Sequence, residues 1–168
     1  MADSSIAAQF VEWSNAIVLS MGYIGVFLVS FIGSASIIFP IPSFALIFAL
    51  GAIMNPWIVG IVAGIGSALG ELTGYLLGKG GGKIIEKKYK KHIEKYRKWF
   101  RKDRMFLIIA LFAATPLPDD IVGIVCGVFN YNLKKFFLAS LIGKIILNTA
   151  LALGGFYGIG FVLTLIGG

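Results

Sequence analysis

The chain has 168 residues, 58% of them hydrophobic and 14% charged, with 22 glycines and a mean hydropathy of +0.89. This composition excludes a soluble globular domain and places the chain among integral membrane proteins, so lipid is the solvent to reason about. The net charge of +7 is concentrated in one segment, and the single cysteine, Cys126, excludes an internal disulfide and offers no metal-ligand spacing.

The N-terminal stretch carries Asp3 and Glu12 ahead of its apolar run and lacks the basic start of a signal peptide, so it reads as retained. A span needs about 20 apolar residues, because a helix rises roughly 1.5 Å per residue and the hydrocarbon core is roughly 30 Å thick. Residues 15–32 supply the first. Residues 34–54 follow and contain "PIP" at Pro40 and Pro42 in the middle of an apolar run. Proline removes a backbone donor and clashes with the preceding turn, so the run splits into two half-depth helices, a re-entrant hairpin. Residues 57–77, "WIVGIVAGIGSALGELTGYLL", form the second span. Its glycines, among them Gly70, Gly74 and Gly78, recur about every four residues and predict a face packed closely on a neighbouring helix.

Twelve of the fifteen basic residues then fall between Lys79 and Arg104, interleaved with Ile84, Ile85, Tyr89, Ile93, Tyr96, Trp99 and Phe100 at spacings of three and four. That pattern predicts a basic amphipathic helix, 79–104, lying on a membrane and attracting anionic headgroups. The apolar stripe between spans argues against nucleic acid as a partner, and His92 reads as a solvated residue of this helix. Basic flanks favour the cytoplasmic side, which places the linker there; the expected location, which charge does not decide, is the cytoplasmic membrane of a prokaryote.

Residues 105–129 repeat the hairpin device, with "PLP" at Pro116 and Pro118. If this region crossed the membrane, Lys134 and Lys135 would lie outside, whereas a hairpin returns them to the cytoplasmic face. Residues 136–153 form the third span, and after "GG" a last short segment covers 156–166. Parity makes the first hairpin enter from outside and the second from the cytoplasm, so Asn55 and Asn130 belong on opposite sides. A shift of 76 (Pro40 to Pro116) also carries Pro42, Gly51, Ala63, Thr73, Leu77 and Gly78 onto identical residues, Gly51 falling on Gly127. The expected architecture is a single all-α polytopic membrane domain, an inverted repeat of 15–78 and 105–168 with two opposed re-entrant hairpins.

Charges at depth mark function, because an ionised side chain in the hydrocarbon region costs a few kcal/mol by insertion scales. Asp119 and Asp120 directly follow the second tip, and Glu71 sits about two turns before the basic end of its span. Two adjacent carboxylates in a low dielectric resist double ionisation, so one of them can carry a proton; alternatively Asp119 caps the returning helix. Lys144 is the counter-charge to an acid or a phosphate, or else it snorkels to the headgroups. No Ser/His/Asp or Cys/His set for catalysis is present, so neither an enzyme nor a cofactor is expected.

Taken together, "PIPSFALIFALGA", "GSALGELTGYLLGKGGG" and "PLPDDIVGIVCGVFNYNLKKFFLASLIGK" resemble the DedA and VTT-domain superfamily, also called SNARE-associated Golgi proteins, over residues 24–160. Carried over by position, Glu71, Tyr75, Gly78 and Lys79 fill the first-half pattern, and Pro118, Asp120, Gly127, Phe137, Gly143 and Lys144 the second. Two departures are visible: "LFAATP" has no arginine before the second hairpin's proline, and "GSASIIFPIPSFAL" has no glutamate. The resemblance implies lipid translocation, either scrambling of glycerophospholipids or recycling of polyprenyl-phosphate carriers with proton dependence. Export of small cationic drugs and a non-transporting scaffold are the rival readings, and a homo-oligomer is left open.

Overall fold

The computed structural model describes residues 2–36, 43–81, 104–116 and 120–167. Pro40, Pro42, Pro118, Asp119 and residues 82–103 of the basic helix lie outside the described residues. Among the described residues every regular element is an α-helix: α1 (Ala2–Met21), α2 (Tyr23–Ala35), α3 (Ser43–Ile53), α4 (Pro56–Gly70), α5 (72–81), α6 (Arg104–Ala113), α7 (Asp120–Val128) and α8 (Leu133–Gly167).

α1 and α2 meet at Gly22, whose φ of 58° and ψ of −128° are closed to residues carrying a Cβ. The apolar stretch 15–32, expected as one span, is therefore two helices with a sharp joint. The helix entering the first Pro-x-Pro begins at Tyr23, well before residue 34. The start of α2 and the end of α3 lie at one level, because the Asn55 N–H just past α3 donates to the Tyr23 hydroxyl at 3.4 Å.

Asn55 also starts α4. Its side-chain oxygen accepts from the N–H groups of Trp57 (3.1 Å) and Ile58 (3.3 Å), and Pro56 takes the first helical position, where a missing N–H costs nothing. Replacing Asn55 with alanine should lower stability by about 1 kcal/mol, read as a reduced thermal midpoint in detergent, and aspartate should restore most of it.

α4 passes into α5 through Glu71, which keeps helical angles (φ −64°, ψ −19°). The continuous stretch Pro56–Gly81 and the stretch Leu133–Gly158 of α8 are each 26 residues, long and apolar enough to cross a membrane. α8 runs unbroken through Gly154 and Gly155, so the short segment expected over 156–166 is part of the same helix. Those glycines mark a contact, not a break: a Cβ on Gly155 would collide with the Phe48 carbonyl of α3. The end of α7 is closed by Tyr131 N–H on Cys126 O (2.9 Å) and Asn130 N–H on Gly127 O (3.0 Å), with Asn130 in the left-handed conformation at φ 52°. Asn132 then caps α8 by accepting from the Lys135 N–H at 3.0 Å.

The glycines of α4 and α5, expected to form one packing face, serve three neighbours. Gly60 and Gly64 lie against Thr149 and Ile145 of α8, a register that makes α4 and α8 antiparallel. Gly66 and Gly70 lie against Phe27 and Phe31 of α2, and Gly78 against Ile124 of α7. Two apolar cores result. One joins Val18, Val26, Val29, Leu46, Ile47, Leu50, Val59 and Ala63 to Ala152. The other joins Tyr75 to Met105, Ile109, Cys126, Tyr131, Phe136 and Ala139. Leu19, Ile53, Trp57, Leu77, Leu111 and Ile121 are more than half exposed. In a soluble protein such a surface would aggregate; here it faces acyl chains.

Candidate functional site

Between the two cores the interior turns polar. Glu71, at the α4–α5 junction, and Lys144, in the middle of α8, form an ion pair with Lys144 Nζ 2.6 Å from Glu71 Oε1. Their side chains are 3% and 7% exposed. The antiparallel packing of α4 on α8 brings them together, since small residues at Gly60 and Gly64 let the two backbones approach. An isolated charge at this depth would be costly, whereas the pair is neutral as a unit and each partner supplies the other's counter-charge.

Polar groups extend from the pair at helical spacing. On α8, Ser140 and Asn148 lie one turn before and one turn after Lys144, and both are buried. The Asn148 amide donates to the Lys144 carbonyl at 2.8 Å, while the Ser140 hydroxyl is buried without a hydrogen-bond partner. On α4, buried Ser67 lies one turn before Glu71. Tyr75, one turn after it, packs on Phe136 with ring centroids 5.2 Å apart and donates its hydroxyl proton to the Tyr131 carbonyl.

The segment after the second Pro-x-Pro reaches the same place through α7. Gly123 of α7 lies directly over the Glu71 carbonyl and the Tyr75 N–H, each 3.6 Å from where its Cβ would stand. Asp120, three residues earlier, is half-buried as the first residue of α7, where its carboxylate complements the free amides of the helix start. Gly127 meets the Tyr75 carbonyl and Lys79, and Gly143 meets Ala110 and Ala113 of α6. Gly51 meets Ala152, Gly74 is buried, and Pro116 is exposed at the turn after α6. Of the charges singled out from the sequence, the structure thus joins Glu71 to Lys144 and sets Asp120 one turn from the residue covering Glu71. Ser67, Ser140 and Asn148 were not singled out. Their signal was present as polar residues four apart from Glu71 or Lys144 in otherwise apolar helices.

The VTT domain matches residues 41–157, which contain Glu71, Asp120 and Lys144. The chain is 34% identical over 109 residues to vacuole membrane protein KMS2 of Arabidopsis thaliana, a match covering 55% of this chain and 26% of that protein. It is 31% identical over 144 residues to protein MJ0201 of Methanocaldococcus jannaschii, covering 82% of this chain and 86% of the archaeal one. Protein YqeD of Bacillus subtilis is 31% identical over 120 residues, 67% of this chain and 56% of that one. The chain therefore spans about a quarter of the plant relative and most of the archaeal one. No solved structure matches. Because the domain match takes in most of an all-helical, membrane-crossing chain, and takes in the motifs that suggested the family, this integral membrane protein belongs to the VTT-domain family.

Proposed function

We propose that the protein moves lipids between leaflets along a path at the meeting point of two opposed re-entrant hairpins, with Glu71, Asp119, Asp120 and Lys144 on that path. The observation that carries the reading is the buried Glu71–Lys144 pair, which links the two halves in a membrane interior where charge is expensive and therefore marks a place of use. It also weighs against export of a cationic drug, because the Glu71 carboxylate already holds a cation in Lys144.

An inverted repeat is supported by the way the cores correspond. Shifted by 76, Val29, Leu46, Leu50 and Ala63 around the first core fall on Met105, Val122, Cys126 and Ala139 around the second. Each core is completed by the opposite half, Leu151 and Ala152 joining the first and Leu72 and Tyr75 the second. The same shift turns the contact of Phe48 with Gly154 into that of Ile124 with Gly78. Two structures of this kind, each packed on the other's spanning helix, are the arrangement in which broken helices build a site near the midplane. The archaeal and bacterial relatives support placement in a prokaryotic cytoplasmic membrane, and the basic segment 79–104 is read as facing the cytoplasm.

The test is a liposome assay with purified protein, following labelled glycerophospholipid and polyprenyl phosphate between leaflets. The native protein is expected to move at least one of them, and Asp120→Asn to slow that movement about tenfold or more, a loss on the order of 1.4 kcal/mol in the path, at unchanged reconstitution. Movement of neither lipid would overturn the reading.

A further inference from the structure

The buried ion pair poses a charge-balance problem for any path that carries phosphate. Lys144 is the one buried cation among the described residues, and it is held by Glu71 at 2.6 Å. A phosphodiester arriving at this depth brings a negative charge, and among the described residues Lys144 is the buried cation that can neutralise it. Contact with Lys144 therefore means displacement of Glu71. A displaced carboxylate remains in the same dry interior, farther from the ammonium that favoured its ionised form, and the inexpensive outcome is protonation.

We propose that Lys144 is the phosphate-binding group of the path and that Glu71 is its resident competitor, leaving as a neutral acid when a phosphate oxygen takes its place. This rests on the translocase reading and extends it to substrate chemistry and energetics. Before binding the pair consists of one cation and one carboxylate; afterwards the same cation faces one phosphate anion beside a neutral carboxyl. The net charge of these three groups is zero once the phosphate is bound, as that of the pair is before, and the difference is one proton, delivered from water to the Glu71 carboxylate as the phosphate enters.

A second observation points to an anionic oxygen at this position. The Ser140 hydroxyl is fully buried one turn before Lys144 on the same side of α8 and has no hydrogen-bond partner, an expensive state for a donor unless a ligand uses it. Ser67 stands in the same relation to Glu71 on α4. An ammonium with a hydroxyl four residues away suits a phosphate oxygen, which accepts several hydrogen bonds at once. The remaining titratable groups on the helices around the pair are Tyr75 and Lys79 on α5, Asp120 and Cys126 on α7, Arg104 on α6, Lys134 and Lys135 at the start of α8, Tyr157 near its far end, Tyr23 on α2, and Asp3 and Glu12 on α1; α3 has none. Lys79, Arg104, Lys134, Lys135, Tyr157 and Glu12 are exposed, and Tyr75 is engaged with the Tyr131 carbonyl.

The experiment uses the full chain in maltoside micelles, which contain no phosphate, with dioctanoyl phosphatidylglycerol as probe, inorganic phosphate as a second probe and dioctanoylglycerol as the phosphate-free control. Calorimetry in buffers of different ionisation enthalpy gives both affinity and protons taken up. The native protein should bind the phospholipid with uptake of about one proton, and Glu71→Gln should bind it about tenfold tighter with none, because the competitor is gone. Lys144→Met and the double variant E71Q/K144M should not bind; the double variant leaves no unpaired charge and guards against misfolding. Binding of inorganic phosphate with the same substitution pattern, without binding of the lipid, supports the site with free phosphate as its ligand. Retained binding in K144M, or equal affinity and no proton uptake in native and E71Q proteins, overturns the proposal. The two readings fail separately: lipid flux that survives K144M removes the phosphate assignment and leaves the translocase, whereas binding as expected without flux in native protein removes the translocase.

Discussion

Lys144→Met is expected to destabilise the protein by about 3–5 kcal/mol, because it leaves the Glu71 carboxylate buried without its counter-charge. Glu71→Gln leaves a buried ammonium on a long, flexible side chain and should cost less, since such a chain can shift toward the headgroups. The double variant should recover most of the loss, two neutral side chains of similar volume being tolerated where one unpaired charge is not. A thermal or denaturant midpoint for the four proteins closes a double-mutant cycle, in which a coupling of at least about 1 kcal/mol is expected. Additive losses would mean that the two side chains do not form a pair in the folded protein.

The second large effect lies in the backbone contacts between halves. A methyl group on Gly78 would strike the Ile124 carbonyl, and one on Gly127 the Tyr75 carbonyl; in the other half, one on Gly51 would strike the Ala152 carbonyl. None of these obstacles is a side-chain tip that could swing aside, so accommodation means parting two packed helices. Gly78→Ala, Gly127→Ala and Gly51→Ala should each lose about 3 kcal/mol or more and reduce the yield of monodisperse protein. Gly80→Ala and Gly81→Ala, with nothing within 4 Å of the added methyl, should be neutral. Similar losses at Gly51 and Gly127 are expected because the 76-residue shift relates these positions. A large loss at one and none at the other would argue against their equivalence.

The span Pro56–Gly81 was legible because its apolar length and its "NP" entry are both local signals, and the asparagine cap at Asn55 bears out the latter. The joint at Gly22 was not legible: the stretch 15–32 is apolar on both sides of it, and a single glycine among apolar residues is compatible with a continuous helix until a neighbour fixes its φ. The continuity of α8 was missed for the opposite reason. "GG" reads as a breaker in isolation, yet Gly155 is there to admit the Phe48 carbonyl, a contact from a residue more than a hundred positions away. The site divides in the same way. Glu71 and Lys144 stood out because charges are rare in apolar spans, but that Lys144 reaches Glu71 depends on the antiparallel register of α4 on α8, which no spacing within one helix encodes.

The opposed hairpins are the claim on which the path rests, and sidedness tests them most directly. In a Cys126→Ala background, which removes the buried native thiol, single cysteines are placed at exposed Asn55 and Lys134. Both are then probed in sealed, oriented vesicles with a membrane-impermeant thiol reagent. The account expects Asn55→Cys to label from the outside and Lys134→Cys only after the cytoplasmic face is opened. Labelling of both from one side would contradict it.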